Sequence, residues 1–343
     1  MLLSLKRTRK FSEEQAVTIN SGMCLALNFL TPFRLHQGLH YPRSYITRIQ
    51  TLEGFTHFMD KYGFLTTSAD YNLYGVASKN TLIDFGTYKQ IMDASGIENS
   101  SFQFKHFGLD GLEGSVICEE RVLFHDAPRV FFMEKLHVII KLNTPVSKVI
   151  LNNDNTIVNG EKFDWCLNCS YLTFNPLPSL NLFYEPCLSL VYQDIRETPF
   201  PRVAMTIMDG KFPSLFPYIS NEDDLKREDR VYYTLTNVEY TPLGQFTSFE
   251  KAEARRLHVQ NNPDSEVSKL IPLFEAGIKT FYPQFKNHFK YHSFFTSMKT
   301  KPYNTCDSRE CLVDQQNRFI SVMSGKVNSL HVAEDLVKQI IMK

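Results

Sequence analysis

The chain has 343 residues, with 37 Lys and Arg balanced by 37 Asp and Glu and 43% hydrophobic residues. Zero net charge excludes a nucleic-acid binder working through a broad basic face, and this apolar content supports a large core rather than global disorder. No apolar run approaches the ~18 residues of a membrane span and no secretory segment opens the chain, so a cytoplasmic protein with no membrane partner is expected.

The seven cysteines are scattered and odd in number, which fits reduced thiols. Cys166 and Cys169 form a CxxC inside a strand-like run, where residues three apart point to opposite faces. Metal chelation or redox pairing is not expected there.

Along the chain, residues 1–10 are basic. Ser12-Glu13-Glu14-Gln15 has the form of a capping box for a helix running toward Leu27. The first 32 residues contain one glycine, Gly22, and no nucleotide-binding loop.

The stretch Phe33-Arg34-Leu35-His36-Gln37-Gly38-Leu39-His40-Tyr41-Pro42-Arg43-Ser44 follows. Its polar groups are too dense for a core or a linker. They suit a loop that bends at Gly38, stops at Pro42 and aims donors at an anion or a polar ring. The plainer alternative is a hydrogen-bonded crossing that caps the next helix.

Ser44 is placed to cap a helix in which Ile46, Ile49, Leu52, Phe55, Met59 and Tyr62 recur every three or four residues, closing at Gly63. A strand over 71–77, a helix over 84–94 ended by Gly96, an aromatic strand over 102–107 and a glycine-bearing turn over 108–114 come next. Strands over 116–119, 138–142, 146–151 and 163–169 and a hairpin through Asn159-Gly160 surround a helix over 125–136, which Pro128 interrupts early. From 175 to 301 the pattern changes to long strands, at 189–194, 203–208, 230–238 and 291–298. Two helices, near 249–258 and 265–281, lie among them, which suggests an antiparallel sheet with helices to one side. The tail is a strand over 318–323, a tight turn at Ser324-Gly325-Lys326 and an amphipathic helix over 328–341. A glycine turn at a helix start offers unpaired N–H groups to a phosphate or an electron-rich carbonyl.

His36 and His40, like His288 and His292, have the i, i+4 spacing of a helical metal pair. Gly38 and Pro42 oppose a helix at the first pair, alternating aromatics suggest strand at the second, and neither has an adjacent third ligand. No metal is expected.

Arg-Leu-His-x-Gly-x-His-Tyr-Pro-Arg-Ser resembles the segment that follows the first βαβ unit in FAD-dependent oxidoreductases of the D-amino-acid oxidase and glycine oxidase superfamily. Glu120-Arg121-Val122, the strand Asp164 to Tyr171, the strands at Thr206-Ile207-Met208-Asp209-Gly210 and Tyr233-Thr234-Leu235-Thr236, and Ser324-Gly325-Lys326 are similar to elements of the same branch in the same order. The resemblance implies an α/β (α+β) fold, with an incomplete Rossmann-like FAD-binding domain (1–70, 112–175 and 305–343) interleaved with an antiparallel-sheet substrate domain (71–111 and 176–304). It implies FAD as cofactor, with Arg34, His36, Gln37, Gly38 and His40 near the flavin and Ser324, Gly325 and Lys326 opposite. Lys299 and Lys301 stand where relatives carry an arginine that clamps a substrate carboxylate.

The implied activity is oxidation of a small amine- or hydroxyl-bearing substrate by hydride transfer to flavin. The family's opening strand and Gly-x-Gly-x-x-Gly turn are missing here, as though the N-terminus were truncated. The alternative is therefore a non-catalytic remnant of the fold serving as a binding or scaffold protein. Tyr218, Tyr233 and Tyr303 read either as pocket lining or as core. The substrate, the electron acceptor and the oligomeric state are not readable.

Overall fold

A computed structural model describes residues 2–5, 17–18, 33–174, 181–197, 200–227, 231–303, 309–324 and 326–342. The helix expected toward Leu27, the turn residue Gly325, and Cys24 and Cys306 lie outside the described residues.

An eight-stranded sheet forms the floor of the molecule. Its order is Phe289–Pro302, Leu182–Asp194, Tyr232–Asn237, Pro213–Tyr218, Val203–Met208, Tyr71–Ala77, Leu112–Cys118 and Asn99–Ser101. All neighbours are antiparallel except Val203–Met208 and Tyr71–Ala77, which run parallel. Side chains alternate across a strand, so each strand serves two faces. Met205, Ile207, Leu215, Tyr233 and Leu235 join the main core with Val259, Val267, Phe274 and Ile278 of the helices Phe249–Asn261 and Pro263–Lys279. Ala204, Thr206, Met208, Phe216 and Tyr74 turn to the opposite face, which carries the functional side chains.

The second sheet has six strands, in the order Leu312–Gln316, Phe319–Met323, Trp165–Asn168, Leu2–Leu5, Val17–Thr18 and Ile140–Lys141. Trp165–Asn168 pairs in parallel with Phe319–Met323 directly, and Leu2–Leu5 lies on the other side of Trp165–Asn168, antiparallel to it. The expectation that the first 32 residues hold no convincing strand is corrected by this pairing. Helix Tyr45–Tyr62 joins the sheets. Its Gly54 passes so close to the turn Val327–Ser329 that an added Cβ would lie 1.9 Å from the Asn328 carbonyl oxygen.

Several elements differ from the sequence reading. Residues 102–107 do not extend a strand: Asn99–Ser101 is a short edge strand and Phe104–Phe107 a 3-10 turn. Phe102 stacks on Phe107 at 5.2 Å, so the aromatics fold onto one another, and Gly108 closes the turn at φ +70°. Pro213–Tyr218 is a strand that its two prolines concealed. Its pairing with Val203–Met208 covers Leu215 and Ser214, which leaves Pro217 past the end of that ladder. Pro128 sits in the first turn of helix Ala127–Leu136, where a missing N–H costs nothing, so it starts the helix rather than interrupting it. Gly114 belongs to the strand Leu112–Cys118 rather than to a turn. The described cysteines, Cys118, Cys166, Cys169, Cys187 and Cys311, are unpaired thiols. Among the described residues no helix is long and apolar enough to cross a membrane.

Candidate active site

The loop 33–44 is held by local chemistry. Arg34–Leu35 pairs with Arg121–Leu123, and Gly38 turns the chain at φ +112°, a conformation that side chains rarely adopt. An added Cβ at Gly38 would also lie 3.2 Å from Arg48 Cα, so the loop rests on helix Tyr45–Tyr62. From that helix Arg48 donates to the Tyr41 and Pro42 carbonyls, at 2.7 Å each, and to Ser95 Oγ at 2.8 Å. Tyr88 donates to the Leu39 carbonyl at 3.1 Å, and Arg43 pairs with Asp209. Ser44 occupies the N-cap position, but its hydroxyl donates to Thr47 Oγ1 rather than accepting from the helix backbone.

At the centre is a chain of five side chains, all buried except the half-buried His40. Arg34 Nη1 lies 2.6 Å from His40 Nε2 and 2.7 Å from Thr206 Oγ1, His40 Nδ1 lies 2.8 Å from the Tyr74 oxygen, and that oxygen lies 2.8 Å from Glu120 Oε2. An arginine can only donate, so His40 Nε2 accepts and its proton sits on Nδ1. His40 then donates to Tyr74, which leaves the Tyr74 hydroxyl to donate to Glu120. The other Glu120 oxygen accepts the Gln37 N–H at 3.0 Å. Arg34 Nη1 also donates to the Tyr74 oxygen directly, at 3.2 Å, so its positive charge and the Glu120 carboxyl are joined through Tyr74 both with and without His40 between them.

Burial governs the protonation states here. It holds His36 and His40 well below the usual imidazole range, reinforced at His36 by Lys326 and Arg34 and at His40 by Arg34, His36 and Lys326. It raises Glu120 to about 7, with Arg34 opposing, and pushes the Tyr74 hydroxyl well up. Lys326 is lowered to about 6 by burial and by Arg309, while the Tyr41 ring, 3.7 Å from its ammonium nitrogen, pulls the other way.

Hydrogen bonds tie the loop around Gly38 and helix Tyr45–Tyr62 to the residues that open the C-terminal helix. Asn328 Nδ2 donates to the His36 carbonyl at 2.7 Å and to the Thr51 carbonyl at 3.3 Å, and Lys326 Nζ reaches Thr51 Oγ1 at 3.3 Å. Ser324 instead bonds within its own turn, to the Lys326 carbonyl and to Ser329. Gln37 donates its amide to the Glu119 carbonyl at 2.6 Å, so it braces the loop. Polar atoms remain unpaired in this region among the described residues: Arg34 Nε and Nη2, His36 Nδ1 and Asn328 Oδ1. Buried donors and acceptors seldom go unpaired, and these belong to the loop and the turn that the Asn328 bond joins.

The structure separates the residues named from the sequence. His36, Gly38, Lys326 and Asn328 gather where the loop meets the helix and the C-terminal turn. Arg34 and His40 reach down to the sheet, Arg34 with its Cζ 4.1 Å above the Phe216 ring. Lys299 and Lys301 lie at the far end of Phe289–Pro302, opposite Glu185 and Phe183. Lys301 Nζ is 2.5 Å from Glu185 Oε1, a carboxylate only 2% exposed, so its charge is committed inside the fold. Tyr74 and Asn328 were not singled out in the sequence, and Glu120 and Thr206 stood there only inside motifs of the resemblance, with no site role; the Glu119-Glu120 pair ending an apolar strand was the available signal.

His36, His40 and Glu120 place ligand atoms within 4.8 Å of one another, supplying the carboxylate that linear spacing did not show. Both His40 nitrogens and both Glu120 oxygens are already engaged, and a cation there would displace the Arg34 guanidinium. The cluster is chemically a hydrogen-bond relay. The cavity of about 250 Å³ lined by Arg196, Phe200, Met205, Tyr233 and His288 lies on the opposite, helix-covered face of the floor. Tyr233 is thus part of the main core, whereas Tyr218 stacks on His125 at 4.2 Å at the edge of the site face.

No family model matches the chain. Among curated proteins it is 32% identical over 309 residues to the FAD-dependent monooxygenase FPY4 of Fusarium mangiferae, spanning 90% of this chain and 79% of that protein. It is 28% identical over 331 residues to the FAD-dependent monooxygenase kojA of Aspergillus flavus, spanning 90% and 75%. Among solved structures, glycine oxidase from Geobacillus kaustophilus superposes with a TM-score of 0.65 at 11% identity, over 95% of this chain and 88% of that one. L-α-glycerophosphate oxidase from Mycoplasma pneumoniae gives 0.67 at 11% identity, over 94% and 87%. At such identities the structural likeness speaks to fold alone.

Proposed function

Since the chain belongs to the family of the FAD-dependent monooxygenases FPY4 and kojA, on the fold shared by the D-amino-acid oxidase-like flavoenzymes, we propose that it oxidises a small amine- or hydroxyl-bearing molecule by hydride transfer to flavin. FAD is its cofactor. The relatives are named as enzymes, which favours catalysis over a non-catalytic scaffold.

The observation that carries this reading is the closure of the Gly38 loop on the Lys326–Asn328 turn, joined by the Asn328 bond to the His36 carbonyl. Around that contact His36 Nδ1 and Asn328 Oδ1 are buried without partners. A flavin's pyrimidine edge alternates donors and acceptors, and this mixed set fits it. His36, the Gly38 turn, Lys326 and Asn328 would hold that edge. Bound there, FAD supplies a ring that accepts a hydride equivalent from a substrate C–H.

The protein's part is placement. The large sheet is a rigid floor, with Thr206, Phe216 and Tyr74 forming its site face. The buried loop excludes water, and Arg34 stands between floor and loop as an orienting cation. Lys299 remains a candidate for meeting an anionic substrate at the sheet's far end, while Lys301 answers Glu185.

The test is visible absorbance of the purified protein and a thermal melt with added FAD. A flavin spectrum, or a midpoint that rises with FAD, is expected. A colourless sample with a cooperative, FAD-insensitive melt rejects the reading.

A further inference from the structure

The cavity on the helix-covered face of the large sheet measures about 250 Å³. Its floor is the sheet itself, through Val203, Met205 and Leu215, and its walls are aromatic, with Phe107 on one side and Tyr282 and Phe289 on the other. Val203 and Met205 alternate along their strand with Ala204 and Thr206, whose side chains turn to the site face. The cavity and the Arg34 cluster therefore stand back to back across one sheet, and a molecule held in the first does not reach the second.

Protein interiors are close-packed, with few voids larger than a water molecule. A space of about 150 Å³ already takes a benzene-sized molecule, so this one has room for about two fused rings. It is no sealed packing fault either. Phe200, at its rim, is 49% exposed, and His288 stacks on it at 6.4 Å.

The charge at the cavity is cancelled internally. Arg196 donates through Nε to Asp194 at 2.9 Å and through Nη2 to the same carboxylate, and the Phe200 ring lies 4.2 Å from its Cζ. His288 Nδ1 lies 2.8 Å from the Tyr282 oxygen, and burial, reinforced by Arg196, holds this imidazole below its usual range. A charged ligand of either sign would shed its water with no free countercharge to meet it among the described lining residues. An uncharged ring system would exchange water for aromatic and aliphatic contacts.

We propose that this cavity is a second ligand site, separate from the active site, that takes an uncharged planar aromatic molecule of about two fused rings. The proposal does not depend on the flavin reading.

The experiment titrates the full chain near neutral pH, with and without FAD, against 2-naphthol. Its anionic counterpart naphthalene-2-sulfonate and its saturated, non-planar counterpart 2-decalol are the comparisons. The readouts are the thermal midpoint and the 2-naphthol fluorescence. A saturable shift with 2-naphthol that persists in the presence of FAD is expected, with weaker responses to the other two. Val203→Phe, which fills the cavity from its floor, weakens binding by about tenfold or more. Phe200→Ala, at the exposed rim, weakens it several-fold, and carries the test alone if Val203→Phe fails to fold. The proposal is overturned if 2-naphthol gives no saturable response, if FAD displaces it, if either comparison compound binds as well, or if the folded variants keep wild-type affinity. A missing FAD response beside a variant-sensitive 2-naphthol shift counts against the flavin reading and leaves this site standing.

Discussion

Replacing Glu120 by Gln tests the buried relay through stability alone. Burial raises the Glu120 carboxyl from 4.5 to about 7, so ionising it inside the fold costs about 3 kcal/mol more than in the unfolded chain. Between those values the folded state holds the proton and the unfolded state has lost it. The contribution of this group is therefore fully present below about pH 4.5 and is lost as pH rises through about 7. Gln cannot ionise, but its single acceptor oxygen faces two donors, Gln37 N–H and Tyr74 O–H, and the mismatch costs about 1 kcal/mol. Glu120→Gln is thus expected to be about 1 kcal/mol less stable than wild type near pH 4 and about 2 kcal/mol more stable near pH 8, crossing at about pH 5. Urea unfolding of both proteins across this range measures the difference, in which titrations common to both cancel. A difference that stays constant from pH 4 to pH 8 refutes the assignment of Glu120 as a buried, titrating carboxyl.

Gly54→Ala would ordinarily steady a helix by up to about 1 kcal/mol, but here the new methyl meets the Asn328 carbonyl oxygen at 1.9 Å. The clash wins: a lower melting midpoint and a weakened FAD-induced shift are expected, and a stabilised variant with normal FAD response would contradict the packing. Lys301→Met removes the cation paired with the buried Glu185 carboxylate, leaving it the Gln245 amide at 3.4 Å, and is expected to cost about 3 kcal/mol. A Glu185→Leu/Lys301→Met double variant recovers most of that loss in the same unfolding assay; no recovery would mean that the pair is not the source of the cost.

What was readable in advance was local. The loop 33–44 declared itself because its polar residues, Gly38 and Pro42 lie side by side in the chain and constrain the same few dihedrals. The strands 71–77 and 203–208 followed from apolar patterning. Helix Tyr45–Tyr62 was found by its spacing, but its buried face is Thr47, Arg48, Thr51, Gly54 and Phe58 rather than the apolar stripe through Ile46, Ile49 and Leu52, because the polar side chains bond to the loop and the C-terminal turn. Where local signals were ambiguous, long-range packing decided: the aromatics after Ser101 fold into a stacked turn, and Pro213 and Pro217 enter a strand because its neighbour's ladder stops short.

The site's chemistry was of the second kind. Tyr74, Glu120 and Thr206 stand 40, 86 and 172 positions from Arg34, and no spacing rule relates residues that different strands carry to one face. The two lysines of the strand end looked equivalent in the sequence. Pairing with Leu182–Asp194 set Glu185 against them and engaged Lys301. The sequence alone determined which residues could donate, accept or carry charge. The tertiary structure decided which of those capacities are satisfied internally and which, like the Nε and Nη2 of Arg34, have no partner among the described residues, because satisfaction depends on contacts across the sheet rather than along the chain.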